Sequence, residues 1–364
     1  MSDYDRRYMS QALALGRRGL GQCWPNPSVG CVIVKNGRIV GRGRTAPGGA
    51  PHAETEALRM AGTAARDADV YVTLEPCAHT GRTPPCAHAL VAAGVRRVVI
   101  GAGDPNPQVN GQGIAILQAA GIAVTTGVCE DEAHALHHGF FTRIIQGRPA
   151  LTLKLASSFD GRIATASGES QWITGPEARR WVHALRMRHD AVMVGGGTAR
   201  ADDPTLTVRG MGATHQPVRV VISRKLDLPT DSHLARTAGD ISVWLIHGPD
   251  APQERRAHWA SLGAKLIECP LNGRTVDATA ALQALGDQGL TSVFCEGGGA
   301  LAASLLAADL VDDLIGFTAG LVLGAEGQPG IGAMGLDRLS QAPRFALHQT
   351  RQIGADVLHH WHRA

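Results

Sequence analysis

The chain has 364 residues, 44% of them apolar, with 35 basic and 32 acidic side chains and a net charge of +3. That length exceeds one ordinary core and implies about two domains. Near-neutral charge and an aromatic content of 4% exclude the basic stripe and stacking platform of a nucleic-acid binder, and no apolar run reaches the roughly 18–20 residues of a membrane span. Seven cysteines, an odd number without a dense framework, indicate a reduced, cytoplasmic setting. The amphipathic N-terminus lacks an apolar signal core.

Periodicity predicts a helix from Tyr4 to about Gly16. Val29–Gly43 reads as two strands around Asn36-Gly37, a hairpin signal. A helix follows over His52–Ala61, then a strand in "DVYVTLEPC" running into Cys77, then a helix over Cys86–Ala93 stopped by Gly94. "RRVVIGAGDP" and "IAVTTGV" read as strands around the helix "GIAILQAAG", with a further helix over Glu130–Ile145. This alternation implies a sheet with helices on its faces. Gly147-Arg148-Pro149 breaks the rhythm and marks a boundary between domains 1–147 and 148–364. The second domain opens with a strand, Ala150–Ala156, and a helix in "TGPEARRWVHALRMR". Thr174 fits its N-cap, with Pro176 in the first turn and Glu177 as capping-box partner. Strands follow at "DAVMVGGG", "VRVVIS", "ISVWLIH" and "KLIEC". A helix near Val276–Leu285, the strand "SVFCEGGG", the helix "ALAASLLAADLVD" and the strand "DLIGFTAG" complete a second α/β domain.

His52-Ala53-Glu54, then Pro76-Cys77 and Cys86, form the signature of the zinc nucleobase deaminases. Catalytic zinc takes three protein ligands and keeps one open position. His52, Cys77 and Cys86 supply the three, and predicted helix N-termini at His52 and Cys86 favour thiolate over thiol. Glu54 would face the open position, take a proton from water and return it to the leaving ammonia. Any one of these residues alone is more often a cap or a core residue; the full ordered set points to the metal. Eight residues separate Cys77 from Cys86, where most such deaminases have two. Cys23, Cys31, Cys129, Cys269 and Cys295 read as small core residues. His88 reads as structural, and His134, His137 and His138 as a solvated helix face.

"WPNPSVGCVIVKNGRIVG", "PHAE", "YVTLEPCAHTGRTPPC" and "DPNP" occur together with "TLKLASSFDGRIA", "SGESQWITGPEAR", "HALRMRHDAVMVGGGTARADDPTLTVR" and "CEGGGALAASLL". In these motifs the chain resembles the bifunctional riboflavin-biosynthesis deaminase–reductases, from about Tyr4 to the C-terminal strands. The resemblance implies an N-terminal cytidine-deaminase-like α/β/α sandwich and a C-terminal dihydrofolate-reductase-like α/β domain. It implies zinc-dependent deamination of 2,5-diamino-6-(5-phosphoribosylamino)pyrimidin-4(3H)-one, then NADPH-dependent reduction of the ribosylamino group to ribitylamino. The partner is a small phosphorylated pyrimidine, not nucleic acid or membrane, and the family is often homo-oligomeric.

By the same resemblance His52, Cys77 and Cys86 hold zinc and Glu54 moves the proton. Asn26 contacts the base edge, and His79 and Arg82, in the long loop, meet the sugar–phosphate end, where a phosphate calls for cation and donors. In the second half Ala156, Trp172, Thr198, Asp202 and Ser223 match nicotinamide-cofactor positions. The run after Gly297 (Gly298, Gly299, Ala300, Leu301, Ala302, Ala303 and Ser304) would expose N–H groups to cofactor phosphate. No acidic residue ends the next strand, "DLIGF", where an NAD ribose partner would sit, which favours NADP. Ser170, Arg186, Leu206, Arg209 and Glu296 match substrate positions, with Arg186 and Arg209 as phosphate clamps. Lys154 and Asp160 are further polar candidates. One departure stands out: the family usually has His in a "GxGxH" segment after the hairpin, and this chain has Thr45 after Gly41-Arg42-Gly43-Arg44. The competing readings are a cytidylate-type deaminase with an unrelated appended domain, a nucleic-acid-editing deaminase, and a zinc-stabilised structural domain.

Overall fold

Asn36 and Gly37 both take positive φ, 49° and 76°, as a two-residue type I′ turn requires. They fold β1 (Gly30–Lys35) back on β2 (Arg38–Arg44). The computed structural model describes residues 2–78, 85–107 and 109–364, and the chain divides into two units, Met1–Gly147 and Arg148–Ala364.

The first unit adds β3 (Asp69–Leu74), β4 (Arg97–Ala102) and β5 (Ala123–Thr125), giving the five-stranded order β2-β1-β3-β4-β5. β1 runs antiparallel to β2 and β3, and β3, β4 and β5 are parallel. Helices α1 (Asp3–Arg17) and α5 (Glu130–Gln146) pack together on one face; α2 (Ala53–Ala61), α3 (Cys86–Ala93) and α4 (Gln112–Ala119) cover the other. The sandwich is the expected α/β/α one. A Cβ at Gly41 or Gly43 would lie 2.3 Å from the Ala57 carbonyl oxygen or 2.0 Å from that of Ala53. α2 therefore rests backbone against backbone on β2, which fixes where its N-terminus falls.

Two expectations change here. β3 ends at Leu74, three residues short of Cys77, because Glu75 turns away to accept the N–H groups of Gly111 (3.1 Å) and Ile114 (3.3 Å). His137 is not solvated: it shares the buried stripe of α5 with Ala133, Leu136, Phe140 and Phe141, its Nε2 lies 3.1 Å from Thr73 Oγ1, and burial pushes it down to about 3. His134 and His138 are exposed, and the five cysteines assigned to the core are buried.

The second unit is built on β6 (Ala150–Ser158), β8 (Ala191–Gly195), β9 (Val218–Ile222), β10 (Val243–His247), β11 (Lys265–Glu268), β14 (Ser292–Cys295), β15 (Asp313–Ala319), β17 (Phe345–Ile353) and β18 (Asp356–Arg363). Their order is β11-β10-β9-β8-β14-β6-β15-β18-β17, parallel except where β18 meets β15 and β17. Short strands β7 (Arg162–Ala164) and β16 (Gln328–Pro329) pair, as do β12 (Leu271–Asn272) and β13 (Thr275–Val276). The helices are α6 (Pro176–Arg186), α7 (Gly196–Asp202), α8 (His233–Arg236), α9 (Gln253–Ser261), α10 (Ala278–Asp287) and α11 (Gly299–Ala307). Pro176 opens α6 as expected, but the cap is Gly175 rather than Thr174. Proline at the first helical position places the cap directly before it, and Thr174 lies buried one residue too early. Among the described residues no helix is long and apolar enough to cross a membrane.

Candidate functional site

His52 caps α2, Cys86 is the first residue of α3, and Cys77 lies in the loop after β3. His52 Nδ1 sits 3.6 Å from Cys77 Sγ and 3.3 Å from Cys86 Sγ, and all three ligand atoms lie within 4.8 Å of one another. A tetrahedral ion with bonds of about 2.3 Å to sulfur and 2.0 Å to nitrogen has S···N edges of about 3.5 Å, so the residues fit zinc. The Cys86 backbone N–H donates to Cys77 Sγ at 3.3 Å, the helix-terminal contact that favours a thiolate. The hydrogen bond with Cys86 pulls Cys77 down to about 4 and pushes Cys86 up. Glu54 is 4% exposed, and burial, then the Cys77 charge, pushes its carboxyl up to about 7. A carboxyl of that kind, in the first turn of the ligand helix, can both take and return a proton.

Asn26 lies on the loop packed against the approach to His52, its Nδ2 donating to the Gly49 carbonyl at 2.8 Å. Thr45 is buried; its hydroxyl donates to the Pro27 carbonyl (3.0 Å) and accepts the Val29 N–H (2.9 Å), clamping the same loop. Among the described residues, the Arg44 side chain bonds only the Thr45 carbonyl, at 3.5 Å. His79 and Arg82 lie outside the described residues. Sequence reasoning passed over Glu75, whose carboxylate anchors the turn leading to Cys77; the acidic residue just before "PC" was the available signal.

The second unit holds a cavity of about 870 Å³, at the upper end of ordinary ligand sites. Its wall includes Ala156, Trp172, Thr198, Asp202, Gly298, Gly299, Ala300, Leu301 and Ser304 among the expected cofactor residues, and Ser170, Arg186, Leu206, Arg209 and Glu296 among the expected substrate residues. Three cofactor candidates fall elsewhere. Ser223 is buried, donating to Asp227 Oδ1 at 2.8 Å; Ala302 is fully buried; Ala303 lines a smaller neighbouring cavity. Helical periodicity turns Ala302 into the core, while Ala303 shares with Ala300 the face that lines the smaller cavity.

Gly298 has φ 96°, and a Cβ there would lie 2.7 Å from Thr198 Oγ1. Thr198 Oγ1 in turn donates to the Gly297 carbonyl at 3.2 Å. The tight glycine turn thus leads into α11 with backbone N–H groups at the cavity wall, the cradle a phosphate-bearing cofactor requires.

Glu296 is the electrostatic centre of this cavity. Arg186 donates to both its carboxylate oxygens, Nη2 to Oε2 at 2.9 Å and Nε to Oε1, and donates Nη1 to the Thr207 carbonyl at 2.8 Å. Lys154 Nζ stands 3.9 Å from Oε2. Burial works against the Glu296 charge, but Arg186 and Lys154 outweigh it and hold the carboxyl below its ordinary value. Burial pulls Lys154 down despite Glu296. Arg186, expected as a phosphate clamp, is already committed to Glu296. Arg209 differs: it is exposed at the cavity wall, bonds Thr205 Oγ1 at 2.7 Å, and pairs with no carboxylate among the described residues. Asp160 holds the loop instead, accepting from Ser158 Oγ (2.6 Å), Leu323 N (3.1 Å) and Gly324 N (2.8 Å).

Residues 149–359 match the family model for the RibD C-terminal domain, and residues 2–102 that for the cytidine and deoxycytidylate deaminase zinc-binding region. Riboflavin biosynthesis protein RibD of Escherichia coli (strain K12) is 43% identical over 98% of both chains. That of Bacillus amyloliquefaciens is 39% identical over 96% of this chain and 94% of its own. Among solved structures, Acinetobacter baumannii RibD superposes with a TM-score of 0.88 at 39% identity, covering 99% of each chain. A Thermotoga maritima diaminohydroxyphosphoribosylaminopyrimidine deaminase/5-amino-6-(5-phosphoribosylamino)uracil reductase does so with 0.86 at 33% identity, again over 99% of each.

Proposed function

This chain belongs to the RibD family of bifunctional riboflavin-biosynthesis deaminase–reductases, and we propose that its two activities divide between residues 1–147, which deaminate, and residues 148–364, which reduce. The chain is a zinc-dependent hydrolase and an NADPH-dependent oxidoreductase. A reductase domain over the second half removes the reading of a cytidylate-type deaminase with an unrelated appendage.

The His52, Cys77 and Cys86 triad, with buried Glu54 beside it, carries the proposal. These three hold the metal, which when bound polarises a water at its open position. Glu54 takes the proton of that water and delivers it to the amine leaving the pyrimidine ring, so ring amine and water become ring carbonyl and ammonia. Asn26 orients the base, on the loop that Thr45 clamps. His79 and Arg82 receive the sugar–phosphate end.

In the second unit the glycine turn Gly297–Gly299 and α11 hold the cofactor phosphates, and NADPH supplies a hydride. Glu296, fixed by Arg186, and Lys154 orient the sugar beside it. Reduction would place the hydride on C1 of the ribose, break its bond to the ring oxygen and put a solvent proton on that oxygen, opening the sugar to the ribityl chain. Arg209, the cation without a carboxylate partner, takes the substrate phosphate. The substrate class is the diaminopyrimidine ribosyl phosphate for which the Thermotoga maritima protein is described. None of the seven cysteines forms a disulfide, which supports a reducing, cytoplasmic setting.

The test is an assay with that phosphate and NADPH in which ammonia and NADPH are followed separately. One ammonia released and one NADPH consumed per substrate is expected. Ammonia release from cytidylate in preference to the diaminopyrimidine would overturn the assignment.

A further inference from the structure

We propose a second metal site, on the sheet edge of the second unit, in which His348, His360 and His362 bind a divalent transition cation of the zinc, nickel or copper kind and Asp313 orients two of them. Strand alternation separates the side chains of "LHHWHR". His359 and Trp361 take one face, where His359 lies across Gly316 and bonds Thr318 Oγ1 at 3.0 Å. His360 and His362 take the other. β17 brings the third imidazole through an irregularity: Leu347 pairs with Trp361 and Gln349 with His360, so His348 is an extra residue in a β-bulge. Bulges re-aim side chains in this way. The His348 ring centre comes within 4.3 Å of His362 and 5.1 Å of His360, and those two are 4.6 Å apart. One nitrogen from each ring lies within 4.8 Å of the others.

Asp313, opposite His362 on β15, supplies what distinguishes this cluster from a chance gathering. Its Oδ1 accepts from His360 Nε2 at 2.9 Å and from His362 Nδ1. Each ring donates from one nitrogen and so keeps a lone pair on the other. A carboxylate fixing the tautomer of a ligand histidine is the usual support of imidazole metal sites. An all-imidazole set selects zinc, nickel or copper over magnesium or calcium. No cysteine takes part, and every residue lies in the second unit, apart from the deaminase triad. A cation here would tie β17 to β18, and through Asp313 to β15.

Untagged full-length protein, dialysed to equilibrium against Co²⁺, tests the idea. Two equivalents per chain are expected, only one with the thiolate charge-transfer absorption of a cysteine site. His348→Gln/His362→Gln should lose the equivalent without that absorption and keep the other; both replaced residues are exposed. His348→Gln alone provides a milder second variant, expected to weaken that equivalent at least tenfold. A single equivalent in the unaltered protein, or two equally tight equivalents in the double variant, would overturn the site.

Discussion

Arg186→Ala is the most informative substitution in the reductase unit. It removes both bonds to Glu296 and the one to Thr207, leaving a buried carboxylate with Lys154 at 3.9 Å as its nearest cation. Both side chains of the lost pair are 11% exposed, so solvent does little to replace the guanidinium. Removing one partner of a buried pair costs about 3–5 kcal/mol. If that cost falls on the reductive transition state, then at roughly 1.4 kcal/mol per factor of ten reductase kcat/KM should fall about 100- to 4000-fold. The assay is NADPH oxidation with the deaminated phosphate as substrate, beside ammonia release from the diaminopyrimidine. Ammonia release should be unchanged, because the deaminase residues belong to the other unit. Equal loss of both activities, or no loss of either, would refute the reasoning. Arg186→Met combined with Glu296→Gln removes both charges, and it should recover thermal stability without recovering reduction. Recovery of both would reduce the pair to a packing element.

Glu54→Gln should retain zinc at His52, Cys77 and Cys86 and lose ammonia release about 100- to 10,000-fold, the usual worth of a general acid–base group; normal ammonia release with zinc bound there would end its proton role. Gly298→Ala forces a side chain into φ 96° against Thr198, at a cost of about 1–3 kcal/mol. NADPH binding, followed by fluorescence titration, should weaken about tenfold or more while deamination holds; unchanged affinity would remove Gly298 from the cradle. Glu296 titrates below its ordinary 4.5 in the folded chain, where Arg186 and Lys154 outweigh burial. Its contribution to stability is thus complete above pH 4.5 and is lost as pH falls through the lower folded value. Urea unfolding of Glu296→Gln should show a flatter stability profile than the parent in that acid range, and superimposable profiles would count against the pair.

Much of the first unit was legible because its cues are local. Asn36-Gly37 dictates its turn, Gly94 ends α3, and an ordered set of His, Glu and two Cys admits few chemistries. What sequence missed needs partners distant in the chain. Cys77 was read onto a strand because nothing near it reveals that Glu75 will be drawn off by Gly111 and Ile114. His137 looked like its neighbours His134 and His138 until helical phase set it beside Ala133 and Phe140. In the second unit the parallel strands read clearly as apolar runs, since both their faces are covered. The β17–β18 hairpin did not: β17 is exposed along most of its length and carries no apolar alternation. Site residues there were reached by resemblance, which could not distinguish Arg186, tied to a carboxylate, from Arg209, which is not.

The backbone contact between β2 and α2 bears on inheritance. No side chain cushions Gly41 and Gly43 against Ala57 and Ala53, so any replacement at either glycine must lift the helix that begins at His52. Damage there would surface as weakened metal retention in a chain whose ligands are all intact. In surveying natural variants for loss of the deaminase, these two silent-looking positions belong beside the ligands themselves.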